Sequence, residues 1–200
     1  RRYSSAASDV YKRQRLWSVE LKPFIDVANA GVDAIMIAHV HAPDFQPESD
    51  IPATLSKFWV TDILKNKIGY KGIIITDGMG MGGVTKNYAD DYAIIEAVKA
   101  GCDVIIQNYD IVGSINAIED AVKNNEISIE QINSSALKML KMKENAGLHL
   151  NPFVDLDFMM KTIGIKEHRE ASDRISTEAI TLVKDEKNLL PLDVDIKDTI

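Results

Sequence analysis

An α/β fold built around a parallel sheet is predicted from three apolar runs and the helical stretches between them. Ala34-Ile35-Met36-Ile37-Ala38, Ile73-Ile74-Ile75 and Val104-Ile105-Ile106 are short and rich in β-branched residues, the composition of strands buried on both faces beneath covering helices. They recur at intervals of roughly 30 to 40 residues, the rhythm of consecutive βα units. Each ends in polar groups: His39 and His41, Asp77, and Asn108-Tyr109-Asp110. In parallel α/β folds that carboxyl edge is where ligands bind.

Taken in order, residues 1–14 show no apolar periodicity, and Ser4 to Gln14 reads like a translated sequencing adapter; the segment is set aside as an artefactual or disordered leader. From Leu16 to Ala30 apolar residues return at helical spacing, with Pro23 suited to a first turn near Lys22 and Gly31 as the stop. After the first strand comes a loop rich in Pro, Asp and Ser up to Pro52. Thr54-Leu55-Ser56 is expected to cap a helix running to about Ile68, and Gly69-Tyr70-Lys71-Gly72 turns the chain into the second strand. Val84 to Asp91 is polar without helical periodicity. Asp90 to Ala100 predicts a helix stopped by Gly101, and Asp103 to Gln107 predicts the third strand. Helices follow over Ile111–Asn124 and Ser128–Glu144, the second capped by Ser128, and again over Lys166–Val183. Three strands cannot close a barrel, and an open three-stranded sheet leaves its edges unpaired. The chain therefore reads as part of a larger sheet.

Composition excludes several classes of function. With 46% hydrophobic and 26% charged residues the 200-residue chain is globular in type. A formal net charge of −7 without a basic stripe argues against nucleic acid or an anionic membrane as partner. Cys102 is the single cysteine, so neither an internal disulfide nor a multi-cysteine metal site can form. No apolar run approaches the roughly 20 residues that cross a bilayer.

Asp77 is the candidate for chemistry, because Gly72-Ile73-Ile74-Ile75-Thr76 stops at its carboxylate and Gly78-Met79-Gly80-Met81-Gly82-Gly83 follows. Glycines there let the backbone turn sharply and let a bulky ligand approach. The same glycines match G-x-G-x-x-G, yet a dinucleotide site needs the turn to open into a helix facing the pyrophosphate, and Asp77 puts negative charge at its mouth. Met79 and Met81 either pack or line a pocket beside Asp77. His39, at the first strand's end, either lines the pocket or holds a loop by hydrogen bonding. His39 and His41 lack a third ligand at metal spacing, so no metal is expected. His149 and His168 are expected at the surface, Trp17 and Trp59 in helix packing, and Asp90-Asp91 and Asp155-Leu156-Asp157 at helix caps or in solvent.

Beyond these local readings, Glu20-Leu21-Lys22-Pro23-Phe24, Ala30 to Val40, Pro52-Ala53-Thr54-Leu55-Ser56, Gly72 to Asp77 and Ala100-Gly101-Cys102-Asp103-Val104 together resemble the last third of the barrel domain of glycoside hydrolase family 3. Ala179 to Leu192 resembles the segment by which two-domain members enter their second, α/β sandwich domain. The resemblance implies the C-terminal portion of a (β/α)8 TIM-type barrel over 15–150, interdomain helices over 151–188 and the start of a second domain over 189–200. It implies a retaining glycosidase acting on a terminal β-linked sugar, with Asp77 as nucleophile, His39 and Met79 against the sugar, a carbohydrate as partner and no cofactor. Ala38-His39-Val40 followed by Pro52 to Ser56 is more like the β-N-acetylhexosaminidase branch than the β-glucosidase branch; a β-glucosidase, a β-xylosidase or a non-catalytic barrel binding a polar ligand is the alternative. In such enzymes the general acid/base lies outside the part matched here, so the chain alone is expected to be inactive.

Overall fold

The structure is a computed structural model that describes residues 6–47, 51–107, 109–186 and 190. It divides into two compact units, Arg1–Leu150 and Asn151–Ile200.

In the first unit helix α1 (Ala6–Arg15) overlaps the segment set aside as a leader and runs on into a π-helical turn, Leu16–Glu20, closed by Leu21 N–H donating to the Leu16 carbonyl at 2.8 Å. Helix α2 (Lys22–Asn29) carries Pro23 in its first turn, where a missing N–H breaks no intrahelical bond. It stops at Gly31, whose φ of +84° a side chain would resist. Strand β1 (Ala34–Ile37) follows, then a 3-10 turn (Ala53–Leu55), a π-helical segment (Phe58–Lys67) and strand β2 (Ile73–Thr76). A one-turn helix α3 (Gly82–Thr85) falls in the stretch read as non-helical. Helix α4 (Asp90–Ala100) ends at Gly101, and α5 (Ile111–Lys123) and α6 (Ile129–Asn145) complete the unit. Asp110 caps α5 by accepting from Gly113 N at 2.8 Å, and Ser128 caps α6 by accepting from Gln131 N at 3.1 Å.

Three sequence expectations need correction. The helix after Pro52 is not capped by the Thr54 or Ser56 side chains: Thr54 turns toward β1, where its hydroxyl donates to Ile37 O at 3.3 Å, and the buried Ser56 hydroxyl has no hydrogen-bond partner among the described residues. Strand β1 is covered on one side only, since Met36 is 54% exposed and Ala34 open, while Ile35 and Ile37 pack on the core. The run 103–107 is not a full strand.

β1 and β2 pair in parallel from Ala34↔Ile73 to Ile37↔Thr76. Val104 lies on the other edge of β2, through a single parallel bridge to Ile75. Side chains replace the rest of that ladder. The Asp103 carboxylate accepts from Ile74 N at 2.9 Å, and Ile106 N donates to the Thr76 hydroxyl at 3.0 Å. Ile74 O in turn receives both Asp103 N and Val104 N, at 2.7 and 3.1 Å. The third run is thus bonded to the sheet through atoms that break strand register.

β2 is the buried strand the isoleucines predict, and Ile74 joins Leu55, Val60, Leu64, Val84 and Ala97 in the main core. Trp59 is half-buried and donates its indole N–H to Gln46 at 2.6 Å; Trp17, also half-buried, lies under the Lys67 ammonium at 3.9 Å from the ring centre. His149 and His168 are exposed. Cys102 is only 2% exposed, and burial pushes its thiol up to about 12. The thiol therefore stays protonated and unreactive at neutral to mildly alkaline pH. A disulfide reagent at pH 8 is expected to titrate no thiol in the folded protein and one after denaturation; fast native labelling would contradict the burial.

The second unit, described by itself, holds α7 (Leu156–Thr162), capped by Asp155 accepting from Phe158 N at 3.0 Å, and α8 (Lys166–Ala179), shorter than the Lys166–Val183 expected. The proposed start of a further domain, 189–200, lies outside the described residues apart from Leu190. Among the described residues no helix is long and apolar enough to cross a membrane.

Candidate active site

The parallel pairing carries β1 and β2 in one direction, so His39 and Asp77 emerge at the same edge of the sheet. Asp77 extends the pairing one step past β2 through its N–H on Ile37 O at 3.0 Å. Its partly exposed carboxylate accepts from Gly78 N at 2.7 Å through Oδ1. That bond fixes one oxygen; Oδ2 has no hydrogen-bond partner among the described residues and is available to a ligand.

The turn after Asp77 is clamped from both sides. Met79 N donates to Ile106 O at 2.9 Å, across the sheet edge, while the Gly78 carbonyl faces His39 Nε2 at 3.0 Å. A carbonyl can only accept, so Nε2 carries a proton. His39 Nδ1 lies 2.8 Å from the hydroxyl of Thr54, a residue with no exposed surface, and Ala53 N ties the same loop to Val40 O at 2.8 Å. Of the two uses open to His39, loop-holding by hydrogen bonds is the one displayed.

The glycines serve close approach. A Cβ on Gly80 would fall 2.3 Å from the Tyr109 ring, and one on Gly83 would fall 3.0 Å from His39 Cβ. Met79 is 3% exposed within the core, whereas Met81 is 49% exposed, so of the two methionines Met79 packs and Met81 faces solvent. His41 is exposed, and no group of three or more His, Cys, Asp or Glu able to hold a metal occurs among the described residues.

Chemically the edge offers one oriented carboxylate beside a glycine turn. Its helix α3 is a single turn of four residues, too short to provide the N-terminal dipole that a pyrophosphate requires. A nicotinamide dinucleotide at millimolar concentration is expected to leave the melting temperature unchanged, since only a ligand bound to the folded state raises it. A saturable upward shift would overturn this.

Two pairings escape sequence reasoning, one at the site and one at the opposite end of β2. Thr54 reads as a helix cap, and only its placement 15 positions after His39 within the fold makes it a histidine partner. Asp103 reads as a strand boundary, but its buried carboxylate meets Lys138 Nζ at 2.8 Å and the Ser135 hydroxyl at 2.8 Å. Neither pairing leaves a local pattern.

Comparison with known proteins adds an independent finding. The model of the glycosyl hydrolase family 3 N-terminal domain matches residues 5–142. A β-hexosaminidase A of Pseudoalteromonas piscicida is 28% identical over 91% of the chain and 33% of its own length. A β-hexosaminidase of Xanthomonas oryzae pv. oryzae is 31% identical over 66% of the chain and 39% of its own. Among solved structures, a family 3 β-N-acetylglucosaminidase from Paenibacillus sp. FPU-7 superposes with a TM-score of 0.75 and 32% identity, over 87% of the chain and 33% of that protein. The chain thus spans about a third of the length of these relatives.

Proposed function

The chain belongs to glycosyl hydrolase family 3, and from that premise we propose that it carries the nucleophile of a retaining β-glycosidase, with N-acetyl-β-D-glucosaminides as the favoured substrates. β1, β2 and the bridged run at Val104 are then neighbouring strands of a (β/α)8 barrel. The single observation that carries this reading is the Asp77 carboxylate, held at the carboxyl edge of β2 by Gly78 N at 2.7 Å with its second oxygen unengaged among the described residues. The N-acetylglucosaminidase preference rests on the Ala38-His39-Val40 and Pro52 to Ser56 sequences and on the names of the relatives above.

In the reaction so read, an Asp77 oxygen attacks the anomeric carbon while an acid outside the described site protonates the departing glycosidic oxygen. A covalent glycosyl ester forms, and water then attacks the same carbon and releases Asp77, restoring the β configuration. His39 and Met79 enter this reading as supports beneath the site, His39 through its bonds to Thr54 and Gly78 and Met79 from within the core.

The test is covalent trapping in the full-length protein. A 5-fluoro glycosyl fluoride, which slows both steps, is expected to inactivate with one adduct, found after proteolysis on the peptide containing Asp77. An adduct on another carboxylate would overturn the assignment. The 200-residue chain on its own, having half of the required acid–nucleophile pair in this reading, is expected to release no detectable nitrophenol from an aryl N-acetylglucosaminide. Turnover by the isolated chain would mean that it holds a complete site.

A further inference from the structure

Every partner of His39 belongs to a segment that shapes the Asp77 turn. One ring nitrogen bonds Thr54, in the 3-10 turn that ends the loop after β1; the other bonds Gly78, the residue whose N–H holds Asp77 Oδ1. With both nitrogens turned to protein atoms, His39 has none left for a substrate hydroxyl. We propose that His39 is a positioning residue, which sets the orientation of the Asp77 carboxylate by fixing the Gly78 carbonyl and thereby the adjoining Gly78 N–H. The inference rests on the nucleophile reading of Asp77.

The geometry makes the coupling short. Gly78 has no side chain, so its two peptide planes are held by what their polar atoms touch. The N–H of the plane before it bonds the carboxylate. The carbonyl of the plane after it bonds His39, and the N–H of that plane, on Met79, bonds Ile106 O at 2.9 Å. Remove the imidazole and the second plane keeps one anchor of two, free to swing about the remaining bond. Gly78 N moves with it, and the carboxylate loses its fixed angle to the anomeric carbon. Misplacement of a reacting group by about 1 Å can cost roughly 100-fold in rate.

Thr54 completes the device. Its buried hydroxyl also lies 3.3 Å from Ile37 O, the carbonyl that receives Asp77 N at 3.0 Å. Both flanks of Asp77, its own N–H and the Gly78 peptide, are therefore connected to one histidine–threonine pair. Gly83 stands close against the same residue, and a Cβ there would meet His39 Cβ at 3.0 Å and displace the side chain.

The test compares His39→Leu, His39→Gln, Thr54→Val and Gly83→Ala in the full-length protein, on an aryl glycoside. A positioning role predicts that His39→Leu lowers kcat by about 100-fold with KM within about two-fold of the parent, since the sugar contacts are unchanged. His39→Gln, whose amide can still donate to Gly78, is expected to recover part of the loss. Thr54→Val and Gly83→Ala, which leave the imidazole in place but loosen or push it, should move kcat in the same direction by less. A raised KM with unchanged kcat in His39→Leu would overturn the proposal, because it would mean that the ring binds sugar. Equal losses in the Leu and Gln variants, with both retaining the parent's melting temperature, would also overturn it. If His39→Leu fails to fold, Gly83→Ala decides: an unchanged kcat there counts against positioning. Failure of the nucleophile reading itself is separable, since it would appear as an adduct on a residue other than Asp77 whatever the His39 variants do.

Discussion

Replacing Asp77 by glycine in the full-length protein is expected to lower turnover of an aryl N-acetylglucosaminide by roughly 10⁴- to 10⁶-fold, the range in which loss of a covalent nucleophile falls. The fold should persist, because among the described residues the Asp77 side chain accepts only from its neighbour Gly78, and it stands partly in solvent, outside the apolar core. Added azide is expected to restore part of the rate, and its product identifies the role. A small anion in the space left by the carboxylate attacks the anomeric carbon from the nucleophile's side. With no second displacement to follow, the product is the α-glycosyl azide instead of a β-configured sugar. Had Asp77 been the acid/base, azide would instead intercept the glycosyl-enzyme from the opposite side and give the β-azide. Residual activity above about a tenth of the parent, or a β-azide, would remove Asp77 from the nucleophile's place.

Asp77 is legible in the sequence because its signal is local: three isoleucines, a carboxylate and a glycine turn are contiguous. β2 and α4 are legible for the same reason, the one from a buried run and the other from an apolar stretch closed by Gly101, whose φ is +117°. What sequence cannot give is set by atoms far apart along the chain. The third run carries the residue types of a strand, yet it makes one bridge, because the Asp103 carboxylate and the Thr76 hydroxyl occupy places where a ladder would use backbone groups. Ser56 and Thr54 have the types and spacing of caps, but Thr54 is drawn to His39 and Ile37. Met79 sits two residues from Asp77 in sequence and lies in the core in space, which closeness along a turn does not reveal.

Asp103 is the residue for which this difference has the largest energetic consequence. Its side chain is 3% exposed and accepts from three donors, Ile74 N at 2.9 Å, Ser135 Oγ at 2.8 Å and Lys138 Nζ at 2.8 Å, and the same Lys138 also reaches Gly72 O at 3.0 Å. Helix α6 is thereby pinned to the starting end of β2, the end opposite Asp77. Asp103→Ala leaves the Lys138 ammonium with one partner in a site where its side chain is 26% exposed, and leaves the buried Ile74 N–H with none from that side. Breaking a buried pair from one side costs about 3–5 kcal/mol, a large part of the roughly 5–15 kcal/mol that holds a domain folded. The expected result in the full-length protein is a fall of that size in the free energy of unfolding, with the Ile74 amide losing its protection from hydrogen exchange first. Lys138→Met should cost less, because Asp103 keeps Ile74 N and Ser135. Combining Asp103→Ala with Lys138→Met should recover part of the loss, since the stranded charge is then gone. If Asp103→Ala costs under about 1 kcal/mol, the scale of an exposed ion pair, the pair does not act as a buried one and the pinning of α6 must come from apolar contacts instead.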